Sequence, residues 1–265
     1  MAHITAPART YTTSIAHTPE QVEAARRLRH RVFAGELGAR LPATAEPGLD
    51  ADPFDRHCDH LLATDDSTGE VVGTYRLLPP GRTAELYSAT EFDLSPLAPL
   101  RRSLIEMGRS CVHPDHRDGG VITAMWSALA RYALLSGHRY LAGSASVPLA
   151  DGGYAAEQTW RLVRERNLSP RRWRVRPHLP WPVSEAPEHT RGRRTSGTSG
   201  TSGAGAAPDR RAVPPLLRGY LRLGAWVCGP PAHDPEFGVA DFFVLLPFDR
   251  IDDHYLRHFL CGAGR

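Results

Sequence analysis

Ser103-Leu104-Ile105-Glu106-Met107-Gly108-Arg109-Ser110-Cys111-Val112-His113-Pro114 runs into Asp115-His116-Arg117-Asp118-Gly119-Gly120 and then into a helix-patterned stretch from Val121 to Leu135. The first segment reads as an apolar strand that carries one carboxylate and one guanidinium. The second is a polar turn containing glycine, and the third opens a helix. Backbone N–H groups at a helix start attract anions, and the strand would deliver an acid/base group to the same crevice. This order suits a fold that holds a phosphate-bearing thioester beside a general base, with Arg117, Gly119 and Gly120 as the turn that meets the phosphate.

Working outward, Pro19 to Arg31 has apolar residues at helical spacing and a polar second half. His60 to Thr64 and Val71 to Leu78 are strand-like and flank the turn cluster Asp65–Glu70, which predicts an antiparallel hairpin. Tyr140 to Val147 and Ala240 to Pro247 read as further strands. Pro214 to Leu223 and the segment around Tyr255 to Leu260 read as short helices. An antiparallel hairpin followed by alternating helices and strands predicts an α/β fold. Its central sheet would be mixed but largely antiparallel, with helices on both faces. No G-x-G-x-x-G follows the first strand, which disfavours a dinucleotide-binding fold. Residues 10–260 are expected to form a single domain. A flexible insertion at about 185–212 would interrupt it, because the Thr-Ser-Gly repeat from Thr195 to Gly203 has almost no apolar mass to offset ordering entropy.

Composition narrows the function. The chain has 265 residues, 41% of them hydrophobic and 23% charged, which is ordinary for a water-soluble globular protein. Its apolar runs are too short to span a membrane, and no secretory signal is legible, so a cytoplasmic location is expected. A net charge of +3 gives no reason to expect nucleic-acid binding. The basic residues are all arginine, and seven of them lie between Arg161 and Arg176 with a single acid. Such a patch fits an acidic carrier protein or an anionic membrane surface, and equally a plain solvated strip.

Glu106 stands in an apolar strand, where burial would raise its pKa and suit it to accept a proton. The alternative is a structural ion pair with Arg109 or Arg76. Ser110 and Cys111 are poorly placed for a triad because His113 follows so closely along the same chain. His57-Cys58-Asp59-His60 alternates across a strand, which argues against a metal site. His113 to Asp118 fits the H-x-x-x-x-D spacing of glycerolipid acyltransferases, but their later glycine-proline-acid motif has no counterpart here.

Four short motifs resemble the GNAT-fold acyltransferases that use acyl carrier protein, a group that includes acyl-homoserine-lactone synthases and ornithine N-acyltransferases. They are Arg29-x-x-x-Phe33, Asp52-Pro53-Phe54-Asp55, Gly73-x-x-Arg76 and Glu106-Met107-Gly108-Arg109. The resemblance implies roles in substrate binding for Arg29, Phe33, Asp52, Asp55 and Arg76, and in acid/base chemistry for Glu106 and Arg109. Lactone synthases have a tryptophan shortly after the phenylalanine, and this chain has Gly38-Ala39-Arg40 there instead. Longer phrases, among them Phe54 to Leu62, Gly108 to Pro114 and Leu216 to Ala225, are similar to the ornithine-lipid branch. That resemblance implies transfer of a 3-hydroxylated or other long acyl group from acyl carrier protein to the α-amine of L-ornithine. It implies no resident cofactor and no metal, because the phosphopantetheine arrives on the carrier. Lactone synthesis, or a non-catalytic acyl-carrier or lipid-binding role, are the competing expectations. In the turn, Ile122 occupies a place where acetyl-CoA-dependent members favour a small residue. That agrees with a donor bearing one phosphate.

Overall fold

The computed structural model describes residues 9–43, 46–184 and 207–261. In chain order the elements are β1 Tyr11–Ile15, α1 Pro19–His30, β2 Asp59–Asp65, β3 Val71–Leu78, β4 Phe92–Asp93, β5 Leu104–Val112, α2 Gly120–Leu135, β6 Tyr140–Pro148, α3 Tyr154–Arg166, β7 Arg176–Pro177, α4 Pro215–Arg222, β8 Trp226–Val227, β9 Ala232–Asp234, β10 Val239–Pro247 and α5 Asp253–Cys261. Most of the expected insertion lies outside the described residues. Ordered chain is already present before its expected end, since the Asp209 N–H donates to the Gln158 side-chain oxygen at 2.9 Å.

One sheet runs β1-β2-β3-β5-β6-β10-β8, with β9 beside β10. Every ladder in it is antiparallel except β5–β6. Strand alternation sends successive side chains to opposite faces. Ile105 and Met107 pack with Val121, Met125 and Leu129 of α2 and with Leu217 of α4, while Leu104 packs with Leu97, Leu100 and Phe243 on the other face. The second face is covered by α1 and by an irregular segment containing the single-turn helix Tyr87–Thr90 and the 3-10 stretch Ser95–Ser103. So helices do cover both faces, but one face is partly roofed by loop.

α1 begins at a reciprocal cap between Thr18 and Gln21 and passes without a break into a π-helical turn, Arg31–Glu36. Its wider winding places Phe33, which is buried, between the sheet and the loop that follows.

The sheet is split in its middle. β5 and β6 pair only at Leu104↔Tyr140, Ile105↔Leu141 and Glu106↔Ala142. Beyond that point β5 stays with β3, and β6 stays with β10 along its whole length. Gly143 sits at the fork, where an added Cβ would drive into the Met107 carbonyl. Gly143→Ala must therefore push the strands apart. A loss of about 1–3 kcal/mol is expected, to be read as a lower midpoint in denaturant unfolding; an unchanged midpoint would show that the fork has slack.

Candidate active site

Below the fork the diverging strands enclose a cavity of about 380 Å³, within the size range of small-molecule sites. Glu106 is the last β5 residue paired with β6 and is 4% exposed. Its carboxylate oxygens accept the backbone N–H groups of Tyr87 at 2.6 Å and Ser88 at 2.8 Å. Burial pushes its pKa up, against the opposing effect of those two bonds. Among the described residues no arginine stands within ion-pair distance of it, so the alternative of a structural pair with Arg76 or Arg109 is not what forms.

Arg109 is aimed by a bulge. The β3–β5 register passes from Arg76↔Gly108 to Thr74↔Cys111, so Arg109 and Ser110 together face Tyr75. Arg109 absorbs the extra residue with φ 50°, the one non-glycine positive φ among the described residues. Bulges of this kind re-aim a side chain and recur beside active sites. The guanidinium lies 5.0 Å from the Phe237 ring centroid, 5.3 Å from Tyr87 and 5.9 Å from Phe33. Its acid contacts are loose, 3.5 Å to Asp52 and 3.7 Å to Asp50, and its buried Nε has no hydrogen-bond partner.

Behind the cavity lies a buried ion network. Arg29, fully buried, grips Asp55 with both terminal nitrogens at 3.0 and 2.8 Å. It also reaches the Asp50 carbonyl at 2.5 Å, while its Nε stands 2.8 Å from the Asp50 carboxylate. Arg76 binds Asp52 at 2.5 Å and Asp55 at 3.2 Å. Burial alone would raise the Asp55 pKa, yet the Arg29 hydrogen bonds and charge hold it well below the usual carboxylate range.

Against this geometry, three comparisons agree. The family model "Acetyltransferase (GNAT) domain" matches residues 28–127, which include the Glu106–Arg109 strand. Among solved structures, the CoA-dependent acyl-homoserine lactone synthase BjaI superposes with a TM-score of 0.50 at 18% identity, covering 97% of this chain and 90% of that one. MesI, a second CoA-dependent synthase, gives 0.50 at 16% identity over 93% of this chain and 90% of its own. An L-ornithine N(alpha)-acyltransferase of Rhodobacter capsulatus is 37% identical over 89% of both chains. A Rhizobium meliloti protein of the same name is 33% identical over 96% of this chain and 85% of its own. The chain belongs to the L-ornithine Nα-acyltransferase family.

In this N-acyltransferase the residues expected from sequence separate into three groups. Glu106, Arg109, Arg76 and Phe33 line the cavity. Arg29, Asp52 and Asp55 lie behind it, in the ion network. Asp52 and Asp55 are thus paired with arginines, and a direct contact of either with substrate would have to compete with those pairs. Arg76, tied to both, is a poor clamp for a substrate carboxylate.

The third group is the turn. Arg117 is held by Glu36 at 2.5 and 2.7 Å and by the Val112 carbonyl at 3.0 Å. Gly119 takes φ 98°, and the Asp118 carboxylate accepts the Gly120 N–H at 2.9 Å. In this acyltransferase one N–H of the helix start, that of Gly120, is thus taken by the chain's own acid, and no residue from Arg117 to Gly120 lines the cavity. His113 accepts the Asp115 N–H, so the H-x-x-x-x-D arrangement is not assembled either. Burial pushes the Cys111 thiol up to about 12, which disfavours a thiolate nucleophile.

Sequence reasoning missed three acids of the same cavity: Glu91, Asp234 and Asp241. One signal was present. Asp241 interrupts an otherwise apolar strand, as Glu106 does. Glu91 and Asp234 lie outside any apolar strand pattern, and only the fold brings them in.

Proposed function

We infer that the protein acylates the α-amine of L-ornithine, taking a long acyl group from a carrier thioester and attacking it directly. The observation that carries this reading is a buried carboxylate, Glu106, and a loosely paired guanidinium, Arg109, meeting in one cavity at the fork of β5 and β6. Names of the relatives supply the amino acid.

Ornithine arrives with its α-amine protonated, and a protonated amine has no lone pair to attack with. Glu106, made more basic by burial, takes that proton and later gives it to water. The freed nitrogen attacks the thioester carbonyl and the carbon–sulfur bond breaks. A second proton, lost from nitrogen as the amide forms, goes to the departing sulfur. On this reading Arg109 holds the substrate carboxylate, a choice supported by the tighter hold of Asp52 and Asp55 on Arg76. Backbone N–H groups around Ser110, at the bulge, are the candidates to polarise the thioester carbonyl. The reading calls for no resident cofactor and no acyl-enzyme.

Mass spectrometry of lipids from cells expressing the chain tests this. A new species with the mass of ornithine plus a fatty acyl group, fragmenting as an α-amide, is expected. Its absence, or a homoserine lactone in its place, contradicts the reading.

Acyl carrier protein is the donor this reading favours. Arg166, Arg171, Arg172, Arg174 and Arg176 are exposed in and just after α3, and Arg172 lies over the Trp173 ring. An acidic carrier would meet that surface. Reversing Arg171, Arg172 and Arg174 to glutamate should weaken carrier affinity several-fold at low salt, with the difference shrinking as salt rises. Equal affinities at low salt would leave the patch as plain surface. No described helix is long and apolar enough to cross a membrane. A cytoplasmic position, with peripheral contact through the same basic surface, is part of this proposal.

A further inference from the structure

We propose that Glu91, Asp234 and Asp241 form the subsite for the side-chain ammonium of the amino acid, and so select a diamino acid over a neutral one. This deepens the ornithine reading and rests on it. The three acids come from separate elements: Glu91 just before β4, Asp234 at the end of β9, and Asp241 within β10. They offer carboxylate oxygens within 4.8 Å of one another. Among the described residues, none of the three has an arginine or histidine at ion-pair distance. Asp50, Asp52 and Asp55, by contrast, all contact arginines. The neighbours of the cluster are hydrogen-bond donors. Ser144 donates to Glu91 at 2.8 Å, Ser146 donates to Asp241 at 2.6 Å, and the Glu236 and Phe237 N–H groups donate to Asp234 at 2.9 and 3.1 Å.

Crowded acids without a cation are costly in a buried place. Burial, then mutual repulsion, pushes the Glu91 carboxyl up to about 8, and burial above all pushes Asp241 up to about 7. A cation among them relieves both effects. The second observation is Arg109, which lines the same cavity with a 9% exposed side chain; its Nε makes no hydrogen bond, and its ion pairs to Asp52 and Asp50 are long, at 3.5 and 3.7 Å. Its charge is felt at Asp241. The cavity therefore has a loosely paired cation at one place and, at another, a cluster of acids with no cation at ion-pair distance among the described residues. A molecule with a carboxylate and a terminal ammonium completes both. A divalent metal would complete the acids and leave Arg109 as it is.

The test compares L-ornithine with L-norvaline, which has the same carbon chain but no terminal amine, on wild type, Glu91→Gln and Asp241→Asn. The readout is the ratio of the two kcat/KM values, which does not depend on how much of each variant is folded. Wild type should favour ornithine, and each substitution should reduce that preference by between about tenfold and a hundredfold, chiefly through KM. Glu91→Gln, at a half-buried loop position, keeps the test alive if Asp241→Asn is insoluble. Unchanged ratios in variants of an enzyme that acylates ornithine overturn the subsite alone. Wild type that never acylates ornithine overturns the parent reading, and the subsite with it. Loss of the ornithine preference on chelation of divalent ions would mark a metal site and overturn the proposal.

Discussion

Glu106→Gln is expected to lower kcat for ornithine acylation by roughly a hundredfold to ten-thousandfold, while KM for ornithine stays within about threefold. Glutamine has nearly the shape of glutamate and keeps one oxygen to accept from the backbone. It cannot take a proton from an ammonium at neutral pH. Its amide nitrogen would also face one of the two N–H groups of Tyr87 and Ser88 that now bond to the carboxylate. Some stability is therefore lost as well, and the folded fraction has to be measured alongside turnover. Raising the assay pH, which deprotonates free ornithine in solution, should recover part of the lost rate. Full turnover in a folded Glu106→Gln variant removes this residue from the reaction. Glu91 and Asp241, the other cavity carboxylates with raised pKa values, would then be the next residues to test as the base.

The second large effect is on stability. Arg29→Ala takes the central cation from a cluster in which Asp55 and Asp50 are buried. Removing one partner of a buried pair leaves an uncompensated charge and costs about 3–5 kcal/mol, a large share of the 5–15 kcal/mol typical of a whole domain. Arg26 at 3.2 Å and Arg76 at 3.2 Å remain near Asp55 and limit the damage. Arg29→Lys should rescue little, because a point charge cannot reproduce a grip made with both terminal nitrogens. The sign of the pH dependence follows from Asp55. Its folded pKa is depressed, so its contribution is complete above its ordinary pKa of about 4 and is lost as the pH falls below that toward the folded value. Wild type should therefore lose stability in acid more steeply than Arg29→Ala does. An unfolding free energy within about 1 kcal/mol of wild type, read from denaturant titration, would mean that the other arginines carry the network.

The strands that the site needs were legible in the sequence. Leu104–Val112 and the hairpin of β2 and β3 stood out because apolar and β-branched residues run between clear turn signals. Glu106 stood out as a charge in an apolar run. What the pattern could not give was the fork. It depends on Gly143 meeting the Met107 carbonyl from a strand about forty positions along the chain. Nor could it give the bulge at Arg109, which appears only as a register change against β3. β1 and α3 were also missed. Tyr11–Ile15 is short and polar at an edge, and the arginines of α3 mask a buried stripe of Ala156, Trp160 and Val163. The motif acids were ambiguous for a related reason. Asp52, Asp55 and Glu106 look alike in a sequence, and only burial and partners show that the first two are held by arginines and the third by backbone N–H groups.

The most direct test of the central claim is a single-turnover experiment with purified protein, long-chain acyl carrier protein thioester and L-ornithine, following free thiol and product together. One thiol is predicted for each Nα-acyl-ornithine, with no thiol released before ornithine is added and almost none from Glu106→Gln. Thiol release without ornithine, leaving an acyl group on the protein, would contradict direct attack. Acylation at the side-chain amine would contradict the substrate orientation proposed for Glu106 and Arg109.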